Sequence, residues 1–126
     1  MSKVQADIER YMDGPTRTDS VMTSSFTFPP EFIGFQGHFP TKMVLPGACQ
    51  IQCAISTLRQ GLQQRVFLKE IVLAKYVAPV LPGDHLICTV SSVADAGNEF
   101  TCKVRVTKGE EKVSDLKLRV ALGDAI

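Results

Sequence analysis

The sequence predicts an α+β fold in which one long apolar helix is followed by an antiparallel β-meander. From residue 46 to about residue 62, apolar side chains recur at steps of three and four, the spacing of one helix face. After residue 66 the chain reads as strands, in which apolar and polar side chains alternate. A chain of 126 residues suits one domain, which we assign to residues 1–126.

The long helix is expected to be the centre of the fold. Gln50 and Gln52 are the polar side chains that interrupt its first two turns, so we expect burial on most sides. Pro46 fits its first turn, where the missing N–H costs nothing. The apolar positions that predict this helix are Ala48, Ile51, Ile55, Leu58 and Leu62.

Three elements are predicted before this helix. Residues 3–13 have apolar side chains at helical spacing and are stopped by Gly14-Pro15, which predicts a short amphipathic helix. Residues 17–28 are rich in Thr, Ser, Val and Phe and predict a first strand. Pro29-Pro30 ends that strand, and a loop is expected to run to about residue 45.

The meander is predicted from alternation and from turn-forming residues. A hairpin folded at residues 95–96 would pair two apolar strand faces, and the last strand is expected over 112–121. The expected neighbours in the hairpin are Cys88 and Cys102, Val90 and Phe100, and Leu86 and Val104. In the last strand the inward residues are expected to be Leu116, Leu118 and Val120.

Composition and charge exclude several classes of function. Fourteen basic and thirteen acidic residues give a formal charge of +1 without a long charge run, so neither nucleic acid nor a membrane surface is an expected partner. The N-terminus has no apolar signal segment, and a cytoplasmic protein is expected. The four cysteines contain no C-x-x-C pair and no histidine at zinc-ligand spacing, so we expect packed free thiols and no metal site.

The strongest candidate for chemistry is His38. It stands in the segment Phe35-Gln36-Gly37-His38-Phe39-Pro40, between glycine and proline residues that stiffen a loop ahead of the long helix. A histidine transfers protons near neutral pH, and a rigid frame would hold its ring in one position. In isolation, such a histidine is also compatible with a plain hydrogen-bonding role in a loop.

Two motifs in the chain resemble the 3-hydroxyacyl-ACP dehydratase family of the hotdog fold. The first is Gly37-His38-Phe39-Pro40 followed by Val44-Leu45-Pro46-Gly47, similar to the family's G-H-F-P loop and its P-V-[LM]-P-G step into a long helix. The second is Tyr76 with Pro79-Val80-Leu81-Pro82-Gly83-Asp84, similar to the family's F-x-x-P-V-x-P-G-D turn. The resemblance covers roughly residues 16–122 and implies a long central helix wrapped by an antiparallel sheet.

The resemblance also implies a reaction and a site. His38 would remove a proton beside the thioester carbonyl, and backbone N–H groups at the helix N-terminus would bind the enolate oxygen that develops. Gly47 would be the position that binds the thioester. The residues expected to contact substrate are Phe35, Gly37, Phe39, Val44, Pro46, Gly47 and Ala48.

The same resemblance implies the partners. No cofactor is expected, because the substrate is carried on the phosphopantetheine of acyl carrier protein (ACP) or on coenzyme A. A homodimer is expected, with His38 of one chain facing the helix residue of the other. An acidic carrier protein would need a local basic patch, and the candidates are Lys42, Arg59, Arg65, Lys69 and Lys75.

Gln52 stands where the family has its acidic residue. An amide can hold a hydroxyl group or a water, but it cannot usefully donate a proton at neutral pH. No Asp or Glu occurs between Glu31 and Glu70 to replace it. The sequence therefore predicts a dehydratase-like enzyme weakened by Gln52, and leaves open a non-catalytic acyl-thioester binding protein or a hotdog thioesterase.

Overall fold

The computed structural model describes residues 2–36 and 43–126, and for residues 92–96 it describes the backbone only. It contains two α-helices, a short 3-10 helix at Ile33–Phe35, and one six-stranded antiparallel sheet in the order β1-β2-β4-β5-β6-β3. The elements are α1 (Lys3–Arg10), β1 (Met12–Thr18), β2 (Val21–Thr27), α2 (Gly47–Leu62), β3 (Gln64–Tyr76), β4 (His85–Ala96), β5 (Glu99–Lys108) and β6 (Glu111–Ala125). The predicted α+β class is confirmed.

Helix α2 is the buried centre of the domain, as predicted. From Cys49 to Leu58 each of its residues is buried except Gln52. The sheet covers it with the inner side chains of its strands, and Leu116, Leu118 and Val120 are 2%, 0% and 0% exposed. Pro46 differs slightly from expectation, because it is the N-cap and the helix begins at Gly47. Of the described helices, none is long and apolar enough to cross a membrane.

The N-terminal region differs from the prediction in two respects. Helix α1 ends at Arg10 instead of residue 13, and the single strand expected over 17–28 is wrong because two strands, β1 and β2, form a hairpin. The chain reverses just after Asp19, whose φ of 55° is in the left-handed region that aspartate tolerates better than most residues. The composition of this segment predicted β structure correctly but did not predict the turn between β1 and β2.

The predicted pairing of β4 with β5 is wrong by four residues. Cys88 pairs with Val106 and Val90 pairs with Val104, because β4 continues through Ala96 and the chain turns at Gly97, which has a φ of 72°. A shift by an even number of residues keeps every side chain on its predicted face. Cys88 and Cys102 are accordingly 1% and 0% exposed.

The cysteines are free and buried, as expected. Burial raises the pKa of the Cys88 thiol to about 12 and that of the Cys102 thiol to about 11. Since the thiolate is the reactive form, these groups serve as small apolar side chains in the core.

Strand β3 is the most exposed element of the sheet. It pairs with β6 on one side, and its other edge has no partner among the described residues. From Phe67 to Tyr76 every residue is exposed. The large apolar side chains exposed on this strand and just after it are Phe67, Leu68, Ile71, Val72, Leu73, Tyr76 and Val77.

Candidate active site

The first turn of α2 presents backbone donors that have no acceptor among the residues that the structure describes. Pro46 has no side-chain cap, and its carbonyl accepts the N–H groups of Cys49 and Gln50 at 3.0 and 3.4 Å. The N–H groups of Gly47 and Ala48 therefore have no acceptor within the helix, as at any helix start. Leu45 fixes the approach by donating its N–H to the Val80 carbonyl at 2.8 Å. Donors in this position can bind a developing negative charge.

Tyr76 covers the start of α2. A methyl group added to Gly47 would lie 2.5 Å from the tyrosine ring and 2.6 Å from its hydroxyl oxygen. The space left by the missing side chain of Gly47 is thus filled by Tyr76, which remains 44% exposed on its other side. Desolvation beside the helix raises the pKa of the Tyr76 phenol, so it stays protonated and able to donate a hydrogen bond.

Replacing Gly47 by alanine is expected to destabilise the protein by about 1–3 kcal/mol, because the added carbon must displace the Tyr76 ring. Chemical denaturation measures the loss. In a Tyr76→Ala background the same substitution should cost much less, because the ring is gone. Equal costs in the two backgrounds would contradict the contact.

Gln52 lies two turns into α2 and is tied to the helix by a hydrogen bond. Its Nε2 donates to Ser56 Oγ at 3.0 Å, and Ser56 Oγ donates in turn to Glu9 Oε2 at 2.8 Å. The Gln52 amide is therefore hydrogen-bonded and only partly buried. Its carbonyl oxygen accepts no hydrogen bond from the part of the chain that the structure describes.

Glu9 brings a carboxylate from α1 to the surface of α2. Its side chain is 11% exposed and pairs with Arg59 at 2.7 Å. Gln5 and Gln60 also donate to it, at 3.1 and 2.9 Å. With Ser56 and Arg59 these make four donors, so the carboxylate acts as an acceptor. Arg59, an expected contributor to a basic patch, is engaged in this ion pair.

An open apolar trough runs between α2 and β3 beside Gln52. Its volume is about 400 Å³. Apart from two glutamines, the residues that line the trough are apolar. The lining residues are Gln5, Ala48, Ile51, Gln52, Ile55, Val66, Phe67, Leu68 and Ile71. An acyl chain could lie in such a trough with the Gln52 amide within reach.

The structure brings together only part of the predicted site. Pro46, Gly47, Ala48 and Gln52 share the first two turns of α2. Val44 is 40% exposed just before them, whereas Phe35 is 4% exposed and packs edge-on against Phe32, with ring centres 5.7 Å apart. Predictions for Gly37, His38 and Phe39 lie outside the described residues.

Three residues near this region were missed by sequence reasoning as partners of the site: Glu9, Ser56 and Tyr76. Ser56 follows Gln52 by one helical turn, so spacing alone could have joined them. Glu9 lies 47 residues from Ser56, and no local pattern connects the two. Tyr76 was expected from the sequence to be a core or tunnel-lining residue next to a turn motif, and its contact with Gly47 was not predicted.

One long buried helix wrapped by a single antiparallel sheet defines a protein of the hotdog fold. The family model described as ApeI-like, ApeI dehydratase, matches residues 15–117. The chain belongs to this family of hotdog dehydratases related to FabZ. The predicted family and hotdog fold are therefore confirmed.

Individual proteins show the same relationship. The chain is 40% identical over 74 residues to the 3-hydroxyacyl-acyl-carrier-protein dehydratase FabZ of Ehrlichia chaffeensis, a match covering 55% of this chain and 50% of that protein. It is 35% identical over 111 residues to the FabZ of Levilactobacillus brevis, covering 81% of this chain and 74% of the relative. The match to the Ehrlichia protein thus spans half of that relative's length.

A solved structure agrees in fold. The dehydratase heterocomplex ApeI:P from Xenorhabdus doucetiae aligns with a TM-score of 0.68 and 20% identity, covering 87% of this chain and 93% of that chain. At this identity the likeness concerns the backbone arrangement.

Proposed function

We propose that this protein is a 3-hydroxyacyl-thioester dehydratase of fatty-acid or related lipid metabolism, working in the cytoplasm on substrates carried by ACP or coenzyme A. The observation that carries the proposal is the Gln52 amide beside an open apolar trough, about one turn beyond the N–H groups of Gly47 and Ala48, which have no acceptor within the helix. Membership of the dehydratase family supports it.

The reaction would use three groups in sequence. His38 takes the proton from the carbon next to the carbonyl, and its imidazole pKa range suits that step. The N–H groups at the start of α2 bind the enolate oxygen, and Tyr76 adds a protonated hydroxyl close to Gly47. Gln52 holds the 3-hydroxyl group, which leaves as hydroxide and takes a proton from solvent to become water, because an amide supplies none.

The missing acid favours a second candidate, a non-catalytic acyl-thioester binding protein. Glu9 is the carboxylate closest in the hydrogen-bond chain to Gln52, but it lies beyond Ser56 and is paired with Arg59. It therefore does not replace the absent proton donor. The binding surfaces remain intact under this alternative.

One assay separates these functions. Purified protein and the His38→Ala variant are incubated with 3-hydroxyacyl- and enoyl-CoA, and with the same acyl groups on ACP. We expect slow interconversion in the wild type and none above background in the variant. Binding without interconversion would replace the enzyme by the binding protein. Release of free thiol would instead indicate a thioesterase.

The exposed edge of β3 supports a homodimer as the active unit. Seven large apolar side chains on and just after this strand face solvent beside an edge without a partner among the described residues. A second copy pairing along β3 would bury them and close the open side of the trough. The completed site would then draw residues from both chains.

Light scattering at micromolar concentration is expected to give the mass of a dimer, and Val72→Lys on the β3 edge should shift it toward the monomer. Leu81→Lys is the matched control, because Leu81 is 47% exposed but lies outside β3. A monomeric wild type would contradict the homodimer.

A further inference from the structure

The hydrogen-bond chain from Glu9 to Gln52 fixes which end of the Gln52 amide faces Ser56. Glu9 is a carboxylate paired with Arg59, so it can only accept hydrogen bonds. The hydroxyl of Ser56 must therefore donate its one proton to Glu9. Ser56 Oγ is then available to Gln52 only as an acceptor. The Gln52 atom at 3.0 Å must therefore be the NH₂ group, and its carbonyl oxygen points away from Ser56.

The surroundings keep this chain in one state. Ser56 is 0% exposed, so water does not compete for its hydroxyl. Glu9 is held from both sides by Arg59 and Gln60 on α2 and by Gln5 on its own helix. Turning the Gln52 amide over would set two acceptor oxygens against each other, with no proton between them.

We propose that Ser56 and Glu9 are positioning residues that lock the Gln52 amide with its carbonyl oxygen available to the trough, so that the site selects ligands with a hydrogen-bond donor at the 3-position. This inference rests on the proposed acyl-thioester function. A 3-hydroxyacyl group can donate to the locked oxygen. A 3-oxoacyl group offers only an acceptor, and it would meet this oxygen unfavourably.

Two substitutions are expected to release the Gln52 amide from this orientation. In Glu9→Gln, the new amide can donate to Ser56 Oγ, and the serine proton is then free to bond Gln52 through its carbonyl oxygen. The Gln52 NH₂ group would face the trough and could donate to a hydroxyl or an oxo group alike. In Ser56→Ala the partner is removed, and the amide can turn either way.

The test compares two ligands in four proteins. Affinities for 3-hydroxyhexanoyl-CoA and 3-oxohexanoyl-CoA analogues, with methylene in place of the thioester sulfur, are measured calorimetrically. Each protein carries His38→Ala to prevent turnover. The four are this background alone and with Ser56→Ala, Glu9→Gln or Thr57→Val. Thr57→Val is the matched control, because the buried Thr57 hydroxyl donates to the Cys53 carbonyl at 2.7 Å and makes no hydrogen bond to Gln52 or Glu9.

With both positioning residues present, the protein should bind the hydroxy ligand about tenfold more tightly than the oxo ligand, because the oxo ligand cannot donate a hydrogen bond to the Gln52 carbonyl oxygen. Ser56→Ala and Glu9→Gln should tighten the oxo ligand until the preference nearly disappears, while Thr57→Val should retain it. A preference that survives both substitutions, or one that is absent from the start, would overturn the proposal.

A second measurement does not need a ligand. The side-chain NH₂ signals of Gln52, assigned by their loss in Gln52→Leu, should show one proton shifted by the bond to Ser56. That shift should disappear in Ser56→Ala and Glu9→Gln. If neither analogue binds while the NH₂ shifts change as stated, the proposed acyl-thioester function is wrong, but the fixed orientation of the Gln52 amide is supported. Unchanged shifts in both variants would refute the lock itself.

Discussion

Replacing Gln52 by glutamate is expected to raise the rate of dehydration about 100-fold, because general acid catalysis typically contributes about 10²–10⁴-fold. The wild type has the trough and the helix donors but offers an amide where the leaving hydroxyl needs a proton. The rate is measured from the appearance of enoyl thioester.

The setting of Gln52 should favour the protonated form of the new carboxyl. The Ser56 hydroxyl is already donated to Glu9, so it cannot stabilise a second carboxylate, and the charge of Glu9 lies just beyond it. Both effects are expected to raise the pKa of the introduced group. Gln63→Glu, the same change at the exposed C-cap of α2, is the control and should leave the rate unchanged. An equally slow Gln52→Glu protein would show that the missing acid is not the limitation.

Replacing Phe32 by alanine is expected to lower the free energy of unfolding by about 3–5 kcal/mol, the usual cost of deleting a buried aromatic ring. Phe32 is 0% exposed and stacks on Phe28 with ring centres 4.3 Å apart. It also meets Tyr11 and Phe35 edge-on. The ring therefore joins the end of α1, the residue that follows β2 and the 3-10 helix that precedes His38 in the sequence.

Urea denaturation followed by circular dichroism measures this loss. The neighbouring substitution Ile33→Ala is the control, because Ile33 is 38% exposed and should change stability by about 0.5 kcal/mol or less. A Phe32→Ala protein within about 1 kcal/mol of the wild type would mean that the aromatic cluster collapses to fill the space.

The parts of the fold that follow from periodicity could be predicted from the sequence. The spacing of Ile51, Ile55 and Leu58 identified α2, and alternation identified the inward face of β6. Side-chain alternation shows which face of the sheet a residue is on, but it does not distinguish registers that differ by an even number of residues. The predicted partner of Cys88 was therefore wrong although its predicted burial was right. The turn is at Gly97, which has a positive φ, and alternation of apolar and polar side chains does not reveal that backbone conformation.

The candidate site was predictable to the extent that it lies on one helix. Motif and spacing found Gly47 and Gln52, whose places on α2 are close in sequence. Glu9 reaches α2 from a separate helix, and only the packing of α1 against α2 brings its carboxylate to Ser56. Such contacts between distant segments are set by tertiary packing and leave no local signature.

The two edges of the sheet have opposite consequences for assembly. Strand β1 contains Pro15, which has no N–H to offer, and its pairing with β2 is interrupted by a bulge between Asp13 and Thr16. Both features discourage another strand from adding there. Strand β3 has thirteen residues and no proline. Two copies joined along β3 would expose only β1 edges, so growth would end at a closed pair and would not continue into a fibre.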